Sequence, residues 1–216
     1  MSPFVVGRRY RVVHEFTSLR DAFRAGEILV FRSEAYSRYD GITGHFFSQP
    51  GVAGLRSWDV PDEQDAAAAA RTLFVEVPIT PDEARAIILA QCEPDSGVGE
   101  PQTFLGAFRP YRRVLPHDQF HSLMSALRAL SPRLASGVLI DRQLVAALWT
   151  ICHLTRMWAL VDGSMLRRNN LIDADELKTL ERWHDMLSYA VMILLESGDA
   201  VEAFSEYDNH HDDEAG

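Results

Sequence analysis

Lysine is almost missing from this chain: Lys178 stands alone against 20 arginines, and beyond Arg182 there is neither lysine nor arginine. Cysteine is nearly as scarce. Cys92 and Cys152 are the only two, and no CxxC spacing occurs. That excludes a disulfide scaffold and fits a reducing, cytoplasmic setting with two structural thiols. No run of about 18 uninterrupted apolar residues exists, so no membrane span is expected. Met1 to Gly7 carries no basic stretch ahead of its short apolar run, so no secretory signal is expected either. A glycine-rich phosphate loop, a GxSxG elbow and a dinucleotide fingerprint are all absent, as is any internal repeat. Sequence chemistry therefore offers no nucleotide site and no nucleophile elbow.

The charge present is unevenly placed. Net charge is −10, yet acids and bases nearly balance through Arg182, and nine acids with no base follow. The first sixty residues hold eight arginines against six acids. An acidic end repels nucleic acid and attracts a basic partner across about one Debye length, ~8 Å at physiological salt.

Turn and periodicity signals divide the chain into a β-module over 1–60, a linker or short surface helix over 61–72, a mainly helical domain over 73–200, and an acidic, flexible tail over 201–216. Tyr10 and Val12 alternate with arginines as in a half-buried strand. Phe16 to Ala25 reads as a polar connection with one helical turn around Leu19 and Phe23. Ile28 to Phe31, His45 to Phe47 and Leu55 to Trp58 read as strands, with Asp40-Gly41 supplying a tight hairpin. Leu73 to Ile79 is a further strand. Thr80-Pro81-Asp82-Glu83 starts a helix with a capping box, and Asp173 with Glu176 makes a second one. The Gly/Pro-rich stretch 93–116 is long enough to be functional or mobile. Helices are expected over about 117–130, 142–161 and 174–196, the last stopping at Gly198. On that last helix Leu177, Leu180, His184, Leu187, Val191 and Leu194 predict one buried stripe. Leu144, Leu148, Ile151, Thr155 and Trp158 match it on the preceding helix, which predicts an antiparallel helical hairpin. The expected class is α+β: a small SH3-like β-barrel or curled antiparallel sheet, followed by a mostly α-helical half.

Two histidine sets have ligand-like spacing. His117 and His121, four apart on a helix, share a face as zinc ligands do, although Asp118 replaces the longer general-base glutamate and no third ligand follows. His184-Asp185, with His153 opposite, is the second set, against the reading of a buried neutral imidazole on an apolar stripe. Cys152-His153 is no nucleophile pair, because helix neighbours point about 100° apart. Arg8, Arg9, Arg11, Arg112, Arg113, Arg167 and Arg168 are too diluted by acids to predict nucleic-acid binding. Tyr36, Tyr39, Phe46, Phe47 and Trp58 form either an exposed aromatic groove for a peptide or the core of the β-module.

The pattern Gly7-x-x-Tyr10-x-Val12, Phe16, Gly26-Glu27-x-Leu29-x-Phe31, Tyr36-Ser37-x-Tyr39-Asp40-Gly41, Phe46-Phe47, Leu55-Arg56-x-Trp58-Asp59 resembles a family of short bacterial domains of unknown function. The likeness covers about a quarter of the chain and implies a small β-fold and a bacterial source, with no activity attached. In general character the chain is also similar to immunity proteins that neutralise bacterial toxins. The expected function is non-enzymatic binding of a protein with a basic surface. Glu196, Asp199, Glu202, Glu206 and Asp208 are the acidic contacts, Tyr36, Tyr39 and Trp58 a second set, and no cofactor is expected. The alternative is a metal-dependent hydrolase using His117, His121, His153, His184 and Asp185.

Overall fold

The computed structural model describes residues 2–49, 52, 54–94, 103–135 and 141–214. Gly97, Gly99 and Pro101 of the Gly/Pro-rich stretch, and the side chains of His210 and His211, lie outside the described set. The chain forms two compact units, one built on the segment up to Pro78 and the other on Ile79–His210. The fold is α+β.

The first unit is an open five-stranded sheet. Arg9–Val12 (β1) points Tyr10 and Val12 inward, as the alternation predicts. Phe16–Thr17 (β2) and Ala22–Phe23 (β3) form a separate small hairpin, not the expected helical turn. Phe16 and Phe23 are direct cross-strand partners with rings stacked at 4.7 Å, and pairing two facing rings overrides the weak helical tendency between them. Ile28–Ser37 (β4), Ile42–Ser48 (β5) and Arg56–Pro61 (β6) run as an antiparallel meander. Gly41 supplies the positive φ (61°) that the β4–β5 loop needs, and its N–H donates to Ser37 O at 2.9 Å.

Ala66–Leu73 (α1) is a helix capped by Asp65, and Phe74–Glu76 (β7) follows it. Ala70 is buried, while Ala66, Ala69 and Leu73 pack against the sheet core, so 61–72 contributes to the unit rather than simply linking two. β7 pairs with β1, Tyr10 opposite Glu76 and Val12 opposite Phe74, which carries the unit to Pro78 instead of residue 60. Strand order is β6-β5-β4-β1-β7, so two edges remain and no SH3-like barrel closes. The β6 edge is blunted. Ser57 N–H donates to Asp21 Oδ2 and Asp59 N–H to Ser18 Oγ, both at 2.7 Å, which occupies amides another strand would use.

In the second unit, Pro81–Ala90 (α2) begins with the Thr80–Glu83 capping box. His117–Ala135 (α3) continues through Pro132, past the predicted end. Arg142–Thr155 (α4) passes into a π-helical turn, Arg156–Leu160, where a single α-helix is expected. Met165–Arg168 (α5) is one turn, and Ala174–Glu196 (α6) has the bounds and capping box its sequence predicts. The buried face of α6 is Leu180, Trp183, Met186, Leu187, Ala190, Ile193 and Leu194. Leu180, Leu187 and Leu194 keep their predicted place, but Leu177, His184 and Val191 sit at the margin, because α6 touches both α3 and α4 and needs a broader face. Phe104 and Phe108, from the stretch expected to be functional or mobile, are buried and meet edge-to-face at 5.4 Å.

Arg142–Arg168 contains an 18-residue window of mean hydropathy 1.5, long and apolar enough by length and composition alone to cross a membrane. Counting uninterrupted apolar runs misses it, since Thr150, His153 and Arg156 break the run. Leu144, Leu148, Ile151, Ala159 and Leu166 lie in the unit's core.

Ala200–Ala203 (α7) and Ser205–Glu214 (α8) replace the expected flexible tail. Phe204 is 0 % and Tyr207 5 % exposed in the helical core. Burying two aromatics offsets the ordering entropy that an acidic sequence alone does not overcome. Phe204→Ala should cost about 3–5 kcal/mol in the helical unit and strip amide-exchange protection from α7 and α8. Urea unfolding with hydrogen exchange checks this; a stability and protection pattern like wild type would contradict the anchoring.

Candidate functional site

The acidic end is built from the last turn of α6 onward. Gly198 ends α6 with φ of 74°, and a Cβ there would lie 2.5 Å from the backbone of Ala135, so only glycine fits the turn. Asp199 then caps α7, accepting from the N–H groups of Val201 (2.9 Å) and Glu202 (3.0 Å). Glu202 accepts from the Tyr189 hydroxyl at 2.9 Å. Asp208 pairs with Arg128, whose guanidinium also lies 4.2 Å from the centre of the Phe204 ring. Glu196 and Glu206 are exposed. Three of the five expected acidic contacts thus also hold structure, and all five ride on ordered backbone. The same unit exposes Trp149 on α4, 67 % accessible and stacked on His153 with centroids 5.6 Å apart.

The histidine sets do not assemble. His117 rests edge-on against Trp183 at 4.6 Å, whereas His121 Nδ1 lies 2.9 Å from the Tyr207 hydroxyl. His184 Nδ1 is 3.5 Å from Asp185 of its own helix. Among the described residues no three His, Cys, Asp or Glu side chains converge as metal ligands. Shared helix faces bring ligands near each other, but here aromatic partners take up the rings. Burial pushes both the Cys92 and Cys152 thiols up to about 11, which leaves them protonated at neutral pH.

The aromatic set splits by exposure. Phe47 and Trp58 are core residues, while Tyr36 and Tyr39 are exposed on the β4–β5 hairpin, Tyr39 at 98 %. The five therefore line no common groove. Tyr36 donates to Asp62 at 2.8 Å.

No family model and no curated protein matches the chain. Among solved structures, an integron cassette protein from the mobile metagenome of Vibrio cholerae is similar at 19 % identity and a TM-score of 0.29. The match covers 33 % of this chain and 83 % of that one. Likeness at this level carries no functional argument.

Two polar groups in the first unit escape the sequence reading. The Asp59 carboxylate is 0 % exposed on the outer face of β6. Burial alone would raise it, but Ser57, Arg20 and Ser18 donate to it and hold it below the usual carboxylate range, with Arg20 at 2.8 Å. On the opposite face His45 is buried, stacked on Trp58 at 5.1 Å, with Nδ1 3.3 Å from Glu34. Once the strand register is known, His45 shares the inward face with Phe47 two residues on, whereas Asp59, next to inward-facing Trp58, takes the outer face.

Burial lowers the His45 imidazole below its ordinary value, with Glu34 and Asp59 pulling the other way. A depressed imidazole stabilises the fold in its neutral form. That contribution is complete above the unfolded value of about 6.5 and is lost as pH falls through it toward the folded one. Wild-type stability should therefore drop between about pH 7 and about pH 5 by more than that of His45→Phe, which has no such proton to take up. Thermal unfolding of both proteins across that range tests it; parallel pH profiles would contradict it.

Proposed function

We propose that this protein acts without catalysis, by binding another protein that carries a basic surface, and that the end formed by α6, α7 and α8 is the contact. The observation that carries the reading is the burial of Phe204 and Tyr207. These anchors hold a segment devoid of Lys and Arg as ordered helix, so its carboxylates are presented without a further ordering cost on association. Glu196, Glu202 and Glu206 are the exposed charges that would steer a cationic partner, with Asp199 and Asp208 adding to the field. The exposed Trp149 supports the reading as well, because tryptophan is enriched where interface energy concentrates. In its most concrete form the partner is a bacterial toxin with a basic active surface, neutralised in the cytoplasm. Nucleic acid is disfavoured by the same charge.

The product of the adjacent gene is the partner to test by surface plasmon resonance. The triple variant Glu196→Gln, Glu202→Gln, Glu206→Gln should slow association by about tenfold and flatten its salt dependence, while Trp149→Ala should mainly speed dissociation. Unchanged association and salt dependence in the triple variant would overturn the acidic-surface reading.

A further inference from the structure

A polar pocket of about 230 Å³ lies on the aromatic face of the sheet, lined in part by Glu34, Thr43, His45, Asp62 and Gln64. Its composition depends on a register shift. Phe31 pairs with Phe47, yet Glu34, not Ser33, pairs with His45, because β4 bulges between Phe31 and Ser33. One extra residue reverses the parity of the strand and turns Glu34 and Tyr36 to the face of His45.

Hydrogen-bond acceptors dominate the lining. The Glu34 side chain is only 21 % exposed, and its one ion-pair contact among the described residues is with His45. That imidazole is kept neutral by burial, so it does not balance the carboxylate. The 3.3 Å approach is also off line: neither ring nitrogen of His45 has a hydrogen-bond partner, although both are buried. Asp62 brings a second carboxylate, already oriented by the Tyr36 hydroxyl. No lysine or arginine lines the pocket among the described residues.

We propose that this pocket is a binding site for a guanidinium cation. Two carboxylates and a neutral imidazole ask for donors spread over a plane, which a guanidinium fork supplies and a single ammonium does not. A metal ion fits less well, since these side chains do not converge as a ligand set. The site lies in the sheet unit, so it goes beyond the acidic helical contact, and either reading can fail alone.

The test titrates the full chain with agmatine and with the blocked tripeptide acetyl-Gly-Arg-Gly-amide, following the His45 ring by ¹H–¹⁵N NMR. Saturable shifts at His45 are expected, with Kd about 1 mM for the small probe. Glu34→Gln should weaken binding about tenfold or more, and Asp62→Asn, at an exposed position, should weaken it by a smaller factor. Tighter binding of the tripeptide assigns a peptide-borne arginine; equal binding of agmatine assigns a free guanidinium compound. Cadaverine, with ammonium groups alone, should bind more weakly than agmatine. Absence of any shift at His45, unchanged binding in both variants, or cadaverine matching agmatine would each overturn the proposal.

Discussion

Phe4 is the point around which the first unit is organised. Six rings close on it, those of Tyr10, Phe31, His45, Phe47, Trp58 and Phe74, with centroids between 4.9 and 5.7 Å away and mostly edge-on. These rings come from β1, β4, β5, β6 and β7, so one residue ahead of the first strand ties together every strand of the main sheet. Each such pair adds about 0.5–1.5 kcal/mol beyond the area it buries. Because His45 belongs to this cluster, its position is set by packing rather than by a hydrogen bond. That explains how a polar ring stays buried with its nitrogens unmatched.

The two faces of the sheet are consequently different environments. On the outer face, Asp59 is satisfied by Ser18, Arg20 and Ser57, which pins the β2–β3 hairpin and shields the β6 edge. On the inner face, a carboxylate and an imidazole sit side by side, and among the described residues no lysine or arginine lines their pocket. Fully satisfied polar networks rigidify, whereas an unpartnered buried polar group carries a desolvation cost. The bulge in β4 separates the two cases, since without it Glu34 would point to the other side.

In the helical unit, the acidic end gains order from a few residues. Phe204 and Tyr207 enter the core, Arg128 holds both Phe204 and Asp208, and Gly198 allows the turn against Ala135. Charge repulsion along α8 is thus countered by packing, and surface carboxylates stay where the backbone places them.

Much of the local structure is written in the sequence. The two capping boxes, the bounds of α6, the glycine stop at Gly198 and the turn at Gly41 depend on residues within a few positions of each other, where short-range sterics and hydrogen bonds decide. The excess of acids after Arg182 is equally legible, because charge is additive. Tertiary structure alone decided the rest. The choice of an open sheet over a closed barrel, the recruitment of β7, the pairing of Phe16 with Phe23 and the docking of Phe204 and Tyr207 all join residues distant in sequence or depend on cooperative burial. The Glu34–His45–Asp62 pocket is the clearest case, since a one-residue bulge chose which side chains share a face, and no local pattern around Arg32 announces it.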